Sequence, residues 1–300
     1  MMMTYHNPVL LKECVNGLNI NSKKIYVDVT FGSGGHSREI FKKINSGRLI
    51  SFDMDSDVKS NLIESDNFLF IHANYKHIKR FLRLHDIVKV DGILADLGVS
   101  SHQIDLIGRG FSFMADAELD MRMNTNSILT AKSVINEYSR EKLEDIFFYN
   151  GDIKNSRNLV SKIDKYRKIK SIESTLELVS IIKDLCPNKY LNKFLAKVFQ
   201  SLRIEVNDEI ESLKKMLNDG ISLLNPKGRF VVLTYHSKED KLVKNFFRTG
   251  NKDGFLCKDI YGNVTKPMIE INKRVITPSA SEIKVNSRSR SAKLRVAEKI

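Results

Sequence analysis

Gly32, Gly34 and Gly35, with Asp53 and Asp96 downstream, have the types and spacing to hold a nucleoside ligand and to act on it. The glycines fall in the turn of YVDVTFGSGGHSREI, between an alternating apolar segment and one of helical character. Glycine lets backbone N–H groups approach a ligand with no Cβ in the way. A phosphate-cradling loop needs a lysine after its last glycine; His36 and Ser37 stand there, which excludes it. The dinucleotide spacing Gly-x-Gly-x-x-Gly fits Gly32 and Gly34 and fails at Ser37. The Gly-x-Gly-x-Gly type of S-adenosylmethionine (SAM) loop fits the same pair and fails at His36. A plain strand-to-helix turn accounts for the stretch equally well.

Asp53 ends the segment ISFDMDSD about 20 residues beyond the loop, where doubly wound nucleoside-binding domains carry a carboxylate that accepts ribose hydroxyls. Both NAD and SAM contain that ribose, so Asp53 does not choose between them. Asp55 and Asp57 read as solvated or helix-capping residues. Asp96 opens the turn of GILADLGVSSHQID, the sheet position at which amino-directed methyltransferases carry a short acidic or polar turn. An exocyclic amino group conjugated to a base ring is a poor nucleophile because its lone pair is delocalised. A carboxylate that accepts its N–H bonds favours pyramidal nitrogen and aims the lone pair, and Asp96 is the candidate for that acceptor or for a group positioning the cofactor.

The elements that must position these residues are legible as strands alternating with helices. KIYVDVTF, GRLISFDMD, NFLFIHANY and VDGILADLG are apolar runs separated by helix-like segments, which predicts a mostly parallel, doubly wound α/β sheet. The next strand signal, GRFVVLTYH, arrives near residue 228 after the turn NPKG. Between them the pattern is helical and charged, with apolar spacing near 3.6, so an all-helical subdomain with its own small core is expected. The boundaries read as 1–103 and 205–300 for the core and 104–204 for the insertion. NKRVITPS and AKLRVAEK are expected to close the sheet as an antiparallel edge pair.

Lys and Arg outnumber Asp and Glu by 49 to 36, a formal charge of +13 that suits a polyanionic partner. A lysine-rich composition explains the same excess, and the tail NSRSRSAKLRVAEK sharpens the polyanion reading: Arg288, Arg290, Lys293 and Arg295 alternate with serines able to donate to phosphates. No run of 18 apolar residues and no basic-then-apolar leader is present, which points to a cytoplasmic protein without a membrane span. Cys14, Cys186 and Cys257 make no Cys-x-x-Cys pair and read as ordinary buried thiols, with neither a disulfide framework nor a zinc site expected.

NPVLLKE, TFGSGGHS, DLGVSSHQID, RGFSFM, LDMRM, FQSLRIEVNDE, YHSKEDK and RSRSAKLR, in this order from His6 to the last strand, resemble the RsmH (MraW) family of bacterial SAM-dependent methyltransferases. The resemblance implies a Rossmann-like methyltransferase core with an inserted helical substrate domain. It also implies metal-free N4-methylation of a cytidine in the decoding centre of 16S ribosomal RNA, with that RNA held within the small ribosomal subunit. It puts SAM against Gly34, Gly35 and His36, with Asp53 on the ribose, Tyr75 as the adenine wall where the family often has Phe, and Asp96 and Gln103 completing the pocket. Arg109, Phe111, Phe113 and Arg122 in RGFSFMADAELDMRM combine cations with stackable faces, which suits a flipped base and its phosphates, or alternatively a hydrophobic hinge. Arg288, Arg290 and His236 are further RNA candidates, His236 equally a structural hydrogen bonder. Two departures stand out. KFLAK replaces the family's His-Pro-Ala-Thr-Arg, leaving Lys197 for arginine, and TYHSKEDK replaces Ser-Phe-His-Ser-Leu-Glu-Asp-Arg. A nicotinamide dehydrogenase and a non-catalytic rRNA assembly factor are the rival readings, the first opposed by Ser37 and the second by the intact Gly34, Gly35, Asp53 and Asp96.

Overall fold

Apolar side chains alternate strictly along the central strands, and both sets are buried, so helices must cover both faces of the sheet. The computed structural model describes residues 8–300; His6, from which the resemblance runs, and Asn7, which opens its first motif, lie outside them. The chain divides into two units, Met1–Gly98 with Ile210–Ile300 and Val99–Glu209.

In the first unit α1 (Leu11–Gly17) precedes β1 (Ile25–Asp28), α2 (Gly35–Phe41), β2 (Arg48–Asp53), β3 (Phe68–His72), α3 (Ile78–Leu84) and β4 (Val90–Asp96). The second unit holds α4 (Ser101–Asp105), α5 (Ala131–Glu137), α6 (Arg140–Asp145), α7 (Ser156–Arg167), α8 (Thr175–Ile182) and α9 (Leu191–Asn207). The chain returns through α10 (Glu209–Leu223) to β5 (Leu224–Thr234) and α11 (Ser237–Thr249). A short hairpin, β6 (Cys257–Lys258) with β7 (Val264–Thr265), precedes β8 (Met268–Glu270), α12 (Ala280–Val285) and β9 (Lys293–Lys299).

The main sheet runs β3-β2-β1-β4-β5-β9-β8. Its first five strands are parallel, and β9 is antiparallel to both neighbours. Val27, Ile50, Ile93, Phe230 and Val232 face one buried cluster with Leu82, Met216 and Phe247. Their neighbours Tyr26, Leu49, Leu94, Val231 and Leu233 face the other, with Cys14, Leu18 and Ile40. Strand order reverses between β1 and β4, and open α/β sheets bind ligands at the carboxyl ends of such strands. Register sets what meets there. Asp28 pairs with Ser51 and with Leu94, so Asp53 and Asp96 each stand two residues beyond the end of β1, one on either side of the glycine loop.

Two expectations for the end of the chain change. AKLRVAEK is an interior strand, held between β5 and β8, because β8 takes the outer position. NKRVITPS contributes only a single bridge, Ile276 to Leu294. The expected NPKG turn is a bulge inside β5, where pairing to β4 jumps from Leu224 to Arg229. In the second unit Leu195, Val198, Phe199, Leu202 and Val206 form an apolar stripe on α9 that packs with Leu119, Phe147, Ile163 and Leu178. Side chains of Ser100, Thr130, Ser139 and Ser174 cap helices of this unit, satisfying amides that would otherwise lack partners. No helix among the described residues is long and apolar enough to cross a membrane.

Arg295, expected on a phosphate, is instead an internal tie. Its Nε and Nη2 donate to the two carboxylate oxygens of Asp240 at 2.7 and 3.2 Å, and the two side chains are only 11% and 14% exposed. Arg295→Met should lower stability by about 1.5–3 kcal/mol in urea denaturation, the scale of hydrogen bonds to charged groups. A variant with unaltered stability that lost RNA affinity would restore the phosphate reading.

Candidate cofactor and catalytic site

Asp28 organises the loop, although its role was not read from the sequence. It is fully buried at the end of β1. Ser37 Oγ, in the first turn of α2, donates to Asp28 Oδ2 at 2.6 Å, and the Thr30 amide donates to Oδ1 at 3.1 Å. The Thr30 hydroxyl donates to Oδ1 at 3.3 Å and accepts the Asp96 amide at 2.7 Å, joining the ends of β1 and β4 through one side chain. Burial pushes the Asp28 carboxyl up to about 6, against the hydrogen bond from Ser37 that lowers it. A lone carboxylate inside the apolar run YVDV was the available signal.

The glycine loop is shaped by its backbone. Gly32 and Gly34 take positive φ of 52° and 78°, the left-handed region that only glycine enters freely. A Cβ at Gly35 would run into the Pro8 ring. Asp53 holds the loop from the β2 side: its Oδ2 accepts the Gly32 amide at 2.7 Å and its Oδ1 the Asp55 amide at 2.9 Å. The Met54 amide also donates to this carboxylate, which with about four acceptor positions keeps capacity for a further donor. Burial raises the Asp53 carboxyl to about 6. Asp55 is a capping residue, accepting the Asp57 amide at 3.1 Å.

Asp96 lies on the opposite side of the loop, with 23% of its side chain exposed. Tyr235 Oη donates to its Oδ1 at 2.8 Å. Its Oδ2 faces His36 Nδ1 at 3.7 Å. His36 is buried, which lowers its pKa, and its Nε2 lies 3.2 Å from the Val9 carbonyl. A carbonyl can only accept, so the proton of the neutral ring sits on Nε2 and Nδ1 presents a lone pair. Asp96 Oδ2 and His36 Nδ1 are therefore two acceptors 3.7 Å apart. Burial pushes the Asp96 carboxyl up to about 7, while the Tyr235 hydrogen bond lowers it and Glu239 raises it.

The remaining expected residues are distributed as follows. Tyr75 follows β3 in a short turn capped by Asn74 and packs against the core cluster of its unit. Gln103 lies in the second unit, where its Oε1 accepts the Ser100 amide at 3.0 Å and closes a capping box on α4. Arg122 is committed internally rather than free for phosphate: Nε and Nη2 bind Asp120 at 2.6 and 2.9 Å, and Nη1 binds the Thr125 and Ser127 carbonyls. Arg109 Nη2 donates to the Arg122 and Met123 carbonyls, with its guanidinium 5.9 Å from the Phe111 ring centroid. Phe113 packs edge-on against Phe199, and Phe111 lines the same helical core. His236 caps α11: its Nδ1 accepts the Glu239 amide at 3.4 Å, and Glu239 Oε2 accepts the Tyr235 and His236 amides at 2.9 and 3.2 Å. Lys197 donates to the Asp152 carbonyl at 3.2 Å. Arg288 and Arg290 are exposed. Cys186 is half-buried rather than buried, and Cys14 alone of the cysteines with a described side chain is fully enclosed.

A glycine loop at the switch point of a doubly wound sheet, with a carboxylate on each side of it, defines a Rossmann-like nucleoside-binding core. A profile of the MraW methylase family matches residues 3–300, and the chain belongs to that family. It is a methyltransferase that uses SAM. A protein of Bacteroides fragilis named ribosomal RNA small subunit methyltransferase H is 52% identical over 297 residues, covering 99% of this chain and 98% of the relative. Proteins of the same name from Bacteroides thetaiotaomicron and Flavobacterium johnsoniae are 52% and 49% identical, covering 99% of this chain and 98% and 99% of their own.

Asp28, Asp53 and Asp96 all hold protons more tightly when folded than the usual carboxylate does. The folded state binds more protons than the unfolded one between about pH 4 and 7, so these groups cost stability progressively as pH rises. Asp96→Asn keeps an acceptor for Tyr235 and removes the charge. Relative to the unsubstituted protein it should gain about 2–4 kcal/mol between pH 4 and pH 8 in urea titrations. Parallel stability curves would show that Asp96 does not titrate in that interval.

Proposed function

We propose that this methyltransferase acts in the cytoplasm on small-subunit ribosomal RNA, methylating N4 of one cytidine in the decoding centre of 16S rRNA within the small subunit. The names of its relatives support the RNA, and the acceptor pair Asp96 Oδ2 and His36 Nδ1 supports the amino target.

The residues fit SAM: Gly32 has open space where a Cβ would stand, and Asp53 has lone pairs left for ribose hydroxyls. When bound, SAM supplies a methyl group on a positively charged sulfur. Gly34, Gly35 and His36 form the loop beside it, Tyr75 gives the adenine wall and Gln103 a further polar contact. Asp96 accepts an N–H of the cytosine amino group, which turns the nitrogen lone pair toward the methyl carbon. The methyl group that SAM would supply would part from sulfur, the carbon–sulfur electron pair staying on the neutral sulfur that leaves, while the amino nitrogen bonded in its place would shed one proton to Asp96 Oδ2. Arg109, Phe111, Arg288 and Arg290 are assigned to RNA, Phe113 and Arg122 to shaping the surface that meets it, and His236 to holding the Asp96 side through its cap. Cys14 takes no part as a thiolate: burial holds its thiol well above its ordinary value, and Asp96 raises it further.

Asp53→Ala should weaken SAM binding by about 1.5–3 kcal/mol in calorimetric titration; unchanged affinity would remove the ribose contact. Incubated with SAM and small subunits from a strain lacking the enzyme, the protein should leave N4-methylcytidine at one decoding-centre position, read by mass spectrometry of digested RNA. Asp96→Asn should bind SAM and abolish that product. Formation of 5-methylcytidine, or full activity in Asp96→Asn, would overturn the mechanism. Replacing Arg288 and Arg290 together should flatten the salt dependence of RNA binding, since fewer counterions are released.

A further inference from the structure

Tyr235 occupies the place where the resembled family usually has Phe, and its hydroxyl is in contact with the carboxylate assigned to the reaction. Its ring lies beside the Asp96–Gly98 turn: a Cβ on Gly98 would sit 3.6 Å from Tyr235 Cδ2. The backbone of Tyr235 is held by the buried Glu239, whose Oε2 accepts its amide at 2.9 Å, and the side chain reaches back to donate to Asp96 Oδ1 at 2.8 Å. One oxygen of Asp96 is thus engaged by a donor while the other, Oδ2, faces His36 Nδ1 at 3.7 Å. We propose that Tyr235 is a positioning residue of this enzyme: its hydroxyl, donating to Oδ1, orients the Asp96 carboxylate so that Oδ2 is the oxygen that accepts the substrate amino group.

The charges around Asp96 make such a donor consequential. Glu239 from α11 and Asp28 from β1 are acidic, and Cys14 from α1 and the buried neutral His36 from α2 supply no cation. Among the described residues facing it, the Tyr235 hydroxyl is the donor to the carboxylate, and its own pKa is pushed well up by burial and by Asp96, so it stays protonated as a donor. Without it, every group facing Asp96 either leaves the protonated acid alone or favours it. The cap formed by His236 and Glu239 acquires a role as the support of the Tyr235 backbone.

The proposal rests on the reading of Asp96 as the acceptor, and the test separates the two. Tyr235→Phe removes one oxygen and keeps the ring. In protein labelled with carbon-13 at aspartate carboxyls, with the Asp96 signal assigned by its loss in Asp96→Asn, the Asp96 titration in Tyr235→Phe should move up by about one pH unit. Methyl transfer to small subunits should show its acid limb displaced alkaline by the same amount, so that activity falls severalfold at pH 7 and recovers toward the unsubstituted rate near pH 9. An Asp96 titration that superimposes on the unsubstituted protein's overturns the positioning role, as does a rate lowered equally at every pH. If Asp96→Asn retains full activity, the acceptor reading fails whatever Tyr235→Phe does; if Asp96→Asn is inactive and Tyr235→Phe is indistinguishable in both titration and pH profile, only Tyr235 is removed.

Discussion

The burial of Asp28 at the end of β1 is the constraint on which the site depends. A carboxylate without water must be surrounded by donors, and the nearest are those of the residues that follow it. Ser37 brings the first turn of α2 down onto Asp28, and Thr30 turns the chain out of the strand and hands its hydroxyl oxygen to the amide of Asp96. Satisfying one buried acid therefore sets where the glycine loop lies, where α2 begins and how β4 ends. Asp53 completes the arrangement by taking the Gly32 amide from the other side.

Around that constraint, the sheet supplies level and rigidity. Because β1 stops two residues before β2 and β4 do, Asp53 and Asp96 rise on either side of the loop instead of lying beneath it. Both faces of the sheet are packed with fully buried apolar side chains, so the strand ends have little freedom to shift. The carboxyls of Asp28, Asp53 and Asp96 are then held in an environment that opposes their ionisation. Three carboxyls with raised pKa within one strand-end cluster are costly to a fold, and such clusters mark sites where charge is put to use.

The second unit shows why a hundred-residue excursion between β4 and β5 is compatible with a doubly wound sheet. It buries its own core along α9 and caps its own helices. The same self-sufficiency explains why the cations and aromatics of RGFSFMADAELDMRM resist assignment by type alone. Arg122 neutralises Asp120 and binds two loop carbonyls, and Phe113 fills space against Phe199; an exposed recognition surface must be built on such internal ties.

Period-two apolar runs, a glycine turn after the first and an acid after the second were enough to derive the doubly wound core, the loop and Asp53, because each follows from local geometry and spacing. Asp96 was legible as the acid opening the turn after the fourth strand, and the long strand-free interval as helices with a core of their own. Motif resemblance, rather than composition, carried the choice of SAM over a nicotinamide cofactor. Contacts between residues far apart in the chain were beyond such reading. Tyr235 reaches Asp96 across 139 positions and Arg295 reaches Asp240 across 55, and nothing in their flanking residues distinguishes them from a surface tyrosine or a phosphate-binding arginine. The place of β9 inside the sheet was equally hidden, since an antiparallel strand between two partners and one at an edge share the same alternation. Tertiary structure decided these because the partner of a polar side chain is set by which strand ends the sheet order brings together, and sheet order is not written in any single segment.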